Sequence, residues 1–109
     1  MVARFATSPP VNDPEIEAKR RQNLQERLKP SLMRAAGFRG GIWLKAPDGL
    51  VHSITVWDSE ESMRRAGEAA NAQPRLPGHR PEEMPGPGSG QTVEMHEVLD
   101  FAFPETAHG

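Results

Sequence analysis

Hydrophobic and polar positions alternate over residues 2–7, where Ala3 and Phe5 stand against Arg4, and the spacing predicts a short strand ended by Ser8-Pro9-Pro10. Asn12-Asp13-Pro14 then opens a helix, with Asp13 suited to the N-cap, Pro14 to the first helical position and Glu15 and Glu17 to the positive helix end. Ile16, Leu24, Leu28, Leu32 and Ala35 or Ala36 recur at helical spacing to about residue 36, and Gly37 is the stop. Pro30 inside that pattern removes a backbone hydrogen bond and is expected to kink the helix or split it in two. A second strand is predicted over 40–46, a tight turn at Pro47-Asp48-Gly49, and a third strand over 50–57 ending in Trp57. Asp58 and Glu61 have capping-box spacing for a helix reaching about Gln73, whose inner face would be Met63, Ala66, Gly67, Ala69 and Ala70. Gly67 within it asks for a packing reason or a cavity, or is simply drift. The fourth strand is expected over 92–103, with Val93, Met95, Leu99, Phe101 and Phe103 on one parity and Glu97 the exception; His96, Val98 and Asp100 take the other.

The order strand–helix–strand–strand–helix–strand defines an α+β chain of ferredoxin-like βαββαβ type, a four-stranded antiparallel sheet with two helices on one face. The sheet face without helices needs cover. A second copy supplies it by packing sheet against sheet, which gives a homodimer, the dimeric α+β barrel. One domain is expected over 1–103, with a surface loop at 74–91 rich in Pro and Gly, and a C-terminal tail at 104–109.

Composition narrows the function classes. Only 36% of the 109 residues are hydrophobic and 10 Gly and 11 Pro are present, so a second chain completing a thin core fits the total. Net charge is −2, which leaves no electrostatic footprint for nucleic acid and no pull toward an anionic membrane. No apolar run approaches the roughly 20 residues of a membrane span, and the N-terminus has no apolar signal core. Without cysteine there is no disulfide, thiolate catalysis or Cys-ligated metal, and a cytoplasmic setting is the expectation.

Pro30, then Gly37-Phe38-Arg39-Gly40-Gly41, a hairpin, and Val56-Trp57-Asp58-Ser59-Glu60-Glu61 resemble the antibiotic-biosynthesis-monooxygenase domain of the dimeric α+β barrel superfamily. That resemblance covers about residues 1–103, and its specific part is the stretch from Gly37 to Ser62. It implies a ligand pocket between the sheet and the helices with Trp57 at its edge, and a small aromatic or polyketide-type substrate oxidised without metal or flavin. Its haem-degrading members carry an asparagine on the first strand and a histidine on the second helix. Neither is present here, so the resemblance implies no haem chemistry for this chain.

Strand alternation puts Val51, Ser53 and Thr55 on the face of Trp57, and small side chains opposite an Ala/Gly helix face leave room for a ligand. Trp57 is thus a pocket wall or a core tryptophan at the strand–helix corner. Trp43 is a ligand contact or edge-strand packing. Asn71, Arg75 and Arg39 could hold a phenolate or serve as caps and solvated charge. His52 is the candidate general base, although alternation sets it on the face opposite Trp57, where an interface histidine is also expected. His52 and His96 have no metal-ligand spacing, and the first strand separates theirs. The leading reading is a cofactor-independent monooxygenase-like protein. Its rivals are a non-catalytic ligand-binding or structural homodimer, and a lyase, cyclase or isomerase on the same scaffold.

Overall fold

The computed structural model describes residues 1–86 and 89–102. Strand β1 (Val2–Ser8) leads to α1 (Pro14–Asn23), a π-helical turn (Leu24–Leu28) and α2 (Lys29–Met33); β2 (Phe38–Lys45) and β3 (Val51–Trp57) follow, then α3 (Glu60–Ala72), a 3-10 turn (Pro81–Glu83) and β4 (Thr92–Glu97). The strands form one antiparallel sheet in the order β2-β3-β1-β4, the ferredoxin-like arrangement.

Local chemistry accounts for most boundaries. The Asp13 carboxylate accepts from the Glu15 N–H at 2.9 Å, capping α1 ahead of Pro14. Pro30 has no N–H and its ring crowds the carbonyl four residues back. The helix responds by widening: the Lys29 N–H reaches Leu24 O, five residues behind it, and the predicted interruption is a π-turn within one helical stretch. The β2–β3 hairpin closes as expected, with Gly49 N–H donating to Ala46 O at 2.9 Å and Leu50 N–H to the Asp48 carboxylate at 3.1 Å.

Two expectations change. The cap of α3 is Ser59, whose Oγ accepts from Ser62 N–H at 3.1 Å. Asp58 is instead drawn to the side by an ion pair with Arg39. Strand β4 ends at Glu97, because β1 is its only neighbour among the described residues and that ladder ends where Val2 pairs Glu97. One further bond, Val98 N–H to Met1 O at 3.0 Å, uses up the partner. Phe103, the last residue of the predicted strand, and the tail at 104–109 lie outside the described residues. Within the expected surface loop, residues 79–84 are held against α1. Arg20 Nε donates to Glu83 O at 2.6 Å, His79 Nε2 meets Gln22 Oε1 at 3.0 Å, and Met84 is buried.

The helices cover one sheet face, and the core is small. Trp57, Leu32 and Ala66 are buried at its centre, with Phe38, Met63 and Leu28 packed around them. Register places Val2, Arg4, Ala6 and Ser8 of β1 on this helix-facing side with Ser53, Thr55 and Trp57 of β3 and Val93, Met95 and Glu97 of β4. The outer side carries Ile42, Leu44, Ile54, Val56, Phe5 and His52.

Candidate functional site

Trp57 is only 2% exposed. Its ring meets Phe38 edge-on with centroids 5.0 Å apart, and its indole N–H donates to Thr55 Oγ1 at 2.9 Å. The indole is therefore satisfied and enclosed by its own chain. Thr55 is buried beneath it, and the room expected between the small β3 residues and the Ala face of α3 is occupied by the indole itself.

A concavity lies one strand further out. Phe38, Gly41 and Trp43 of β2, with Lys29 and Met33 of α2, line a recess of about 380 Å3 between sheet and helix. A Cβ on Gly41 would stand 2.9 Å from Trp43 Cη2, so the absent side chain is what lets the indole fold back over its own strand. Arg39 and Gly40 complete the rim. Lys29 forms no ion pair among the described residues, whereas Arg39 is held by Asp58. A smaller hollow of about 220 Å3 lies between Ala35, Ala36 and α3.

The remaining candidates are dispersed. Ser53 is half-buried on the helix-facing side, across the ladder from Trp43. Asn71 is exposed on α3 and does not border the recess. His52 stands on the outer side, its Nδ1 3.0 Å from Thr7 Oγ1 and its ring 6.0 Å from that of Phe5. His96 flanks the same Phe5 ring from β4 at 6.1 Å. No group of three or more His, Asp or Glu side chains able to hold a metal occurs among the described residues. For haem iron, α3 offers no imidazole, and His79 is engaged with Gln22. The residues present do not fit that group. No described helix is long and apolar enough to cross a membrane.

Sequence reasoning missed Lys29. Lys29 precedes the proline that sets the π-turn, and only that turn fixes which way it points. Gly41, two residues before Trp43 on one strand face, was the legible signal for a folded-back indole.

The fold is a ferredoxin-like α+β arrangement, with an aromatic recess between an edge strand and a proline-bearing helix. Among solved structures the chain is similar to the monooxygenase ActVA-Orf6 of Streptomyces coelicolor, a complex with nanaomycin D, at 17% identity and a TM-score of 0.58 over 95% of this chain and 92% of that one. It is similar to the heme degrader MhuD of Mycobacterium tuberculosis at 19% identity and a TM-score of 0.61, covering 94% of this chain and all 100% of the other. A mutant form of SnoaB, a cofactor-independent oxygenase of Streptomyces nogalater, gives 17% identity and a TM-score of 0.56 over 92% and 94% of the two chains. No family model and no curated protein matches the chain.

Proposed function

We propose that the protein is a cofactor-independent, monooxygenase-like homodimer acting on a small aromatic or polyketide-type substrate bound in the recess beside Trp43. The observation that carries this reading is the recess itself. It has two aromatic walls, Phe38 and Trp43, and at its margin the ammonium of Lys29, which has no ion-pair partner among the described residues. A planar phenol stacks on such walls, and a cation favours its ionised form. Two of the similar structures are named as oxygenases.

In the proposed reaction the substrate loses a proton to water at the open rim and becomes a phenolate with carbanion character. That anion gives one electron to dioxygen, and the two radicals combine at carbon. The peroxide then loses water, leaving a new carbonyl: one oxygen atom enters the product and the other leaves as water. Lys29 holds the negative oxygen while charge moves to dioxygen. Trp57 supports Phe38 from behind. Ser53 and Thr55 brace the neighbouring strand, and Asn71 has no part in the recess. His52, on the other face, belongs to the contact between subunits.

The test is oxygen uptake by the purified protein with a panel of anthrones and quinols. Uptake that falls at least about tenfold in Trp43→Ala, with the fold intact, supports the reading. Trp57→Ala is unsuitable, because removing a core indole costs about 3–5 kcal/mol and confuses folding with function. A second reading is favoured by one feature: among the described residues, no carboxylate or imidazole lines the recess. Tight aromatic binding without uptake would identify a ligand-binding dimer that does not turn its ligand over.

A further inference from the structure

The outer face of the sheet is apolar in its middle and carries two imidazoles, and their surroundings differ. His96 is on the edge strand β4, and its Nε2 is 3.0 Å from the exposed carboxylate of Glu94, so a proton taken up there completes an ion pair. His52 is half-buried on the inner strand β3. Register places Leu44, Thr7 and Thr92 in its row across the sheet, none of them charged. The next row is Ile42, Ile54 and Phe5, with Glu94 at its far end, two strands away from His52. On the other flank, Asp48 of the hairpin turn accepts from Leu50 N–H, and Lys45 is paired with Glu17. His79 is engaged with Gln22 of α1, and Asp100 accepts from Phe101 N–H beyond the end of β4. No ion pair reaches His52 among the described residues: its Nδ1 meets Thr7 Oγ1 at 3.0 Å, and its ring lies 6.0 Å from that of Phe5. A hydroxyl serves either protonation state, donating to the neutral ring and accepting from the charged one. Within one chain that contact survives in both states. The charge matters when a second sheet closes over the ring.

We propose that His52 makes pairing of the two chains pH-dependent: the homodimer forms with both His52 side chains neutral and comes apart as they take up protons. This rests on the homodimer of the proposed function, and it stands whether or not that dimer is an oxygenase. A second sheet laid on Ile42, Ile54 and Phe5 also encloses the adjoining His52 of each chain. An imidazolium enclosed with no carboxylate beside it loses its hydration without compensation, whereas the neutral ring keeps its bond to Thr7. The paired chains therefore hold fewer protons than the separate ones, and pairing weakens as pH falls through the free-chain value. In water a histidine side chain takes up its proton near pH ~6.5 and carboxylates near pH ~4, so mild acid charges the imidazoles and leaves the acids ionised.

The test is sedimentation equilibrium of the full chain at about pH 8 and about pH 5.5, at one ionic strength, read as the dissociation constant of the pair. The expected result is a rise of about a hundredfold at the lower pH, because roughly nine-tenths of free imidazole is then charged and each chain must give up a proton to pair. His52→Gln keeps a hydrogen-bonding side chain that cannot be charged, and it loses the rise. His96→Gln retains it. A second reading needs no variant: in the wild type, the NMR titration midpoint of His52 falls as protein concentration is raised, since pairing favours the neutral ring. A pair of equal strength at both pH values, a rise that persists in His52→Gln, or a midpoint independent of concentration overturns the inference and leaves the homodimer standing. A single chain at both pH values removes the homodimer itself, and this inference with it.

Discussion

Arg27 closes the end of α3 by donating from Nη2 to Ala70 O at 3.0 Å. The same guanidinium reaches Gln73 O at 2.9 Å and Pro74 O at 3.2 Å, so one side chain from the π-turn satisfies three carbonyls at a helix end. A buried cation there meets both the carbonyls of the helix end and the negative end of the helix dipole. Burial, and then the charge of Arg75, pull its pKa below the ordinary arginine value, yet it stays charged at any working pH. Arg27→Met is expected to lose about 1–3 kcal/mol in urea unfolding, because three charge-assisted hydrogen bonds to the helix end are lost at once. Arg27→Lys recovers little, since one ammonium cannot span three acceptors in that geometry.

Two glycines respond in opposite directions to alanine. Gly37 has φ +86°, and a Cβ there would stand 2.6 Å from Ser62 Oγ at the start of α3. Gly37→Ala therefore combines backbone strain with a clash and is expected to cost about 1–3 kcal/mol. Gly67, inside α3, has open space where a Cβ would go. Neither packing nor a cavity requires glycine at 67, and Gly67→Ala should stabilise by roughly 0.5–1 kcal/mol. Thermal unfolding of the two variants checks both signs.

The contrast marks how far the sequence could be read. Local chemistry was legible: Asp13 before Pro14, the Ala46–Gly49 turn and Gly37 as a helix stop each depend on residues within a few positions of one another. Strand parity correctly set His52 apart from Trp57. Reading failed where the deciding partner is distant. The apolar alternation from Val93 to Phe103 continues past Glu97, but β4 stops when β1 runs out. Asp58 lost the capping position because Arg39, on another strand, competes for it. The room beside Trp57 follows from the small residues around it, and it is filled by the indole that prompted the inference. The recess at Trp43 depends on the direction of Lys29 and Met33, which the π-turn sets.

An acid-dependent link joins the two ends of the βα unit. The Glu17 carboxylate accepts from Lys45 Nζ at 2.6 Å, tying the first turn of α1 to the end of β2. The hydrogen bond from Lys45, and then its charge, hold the Glu17 carboxyl below the usual range, with Arg21 adding a smaller pull. A folded-state pKa below the unfolded one means that the stabilisation is complete above the ordinary carboxylate value and disappears as pH falls through the lower, folded value. The pair is on the surface, so added salt weakens it. NMR titration of the Glu17 side chain should show its midpoint rise in Lys45→Gln. An unchanged midpoint would show that Lys45 does not set it.

The outer face of the sheet makes the proposed homodimer testable at one residue. Ile42, Ile54 and Phe5 lie in register across three strands, with Leu44 beside them, and Ile42 and Leu44 are 49% and 44% exposed in the single chain. Ile54 is central, on an inner strand with apolar residues on both sides. A second sheet laid on this row would remove it from water, and an aspartate there would have to shed its hydration with no partner. Sedimentation equilibrium of the wild type is expected to give twice the 12.0 kDa chain mass, and Ile54→Asp the chain mass alone. Ile54→Val keeps the apolar surface and should stay paired. Because subunit contact is linked to folding by mass action, the wild-type melting temperature should rise with protein concentration and that of Ile54→Asp should not. A wild type that sediments as a single chain at all concentrations would leave this apolar row uncovered and would remove the homodimer from the proposed function.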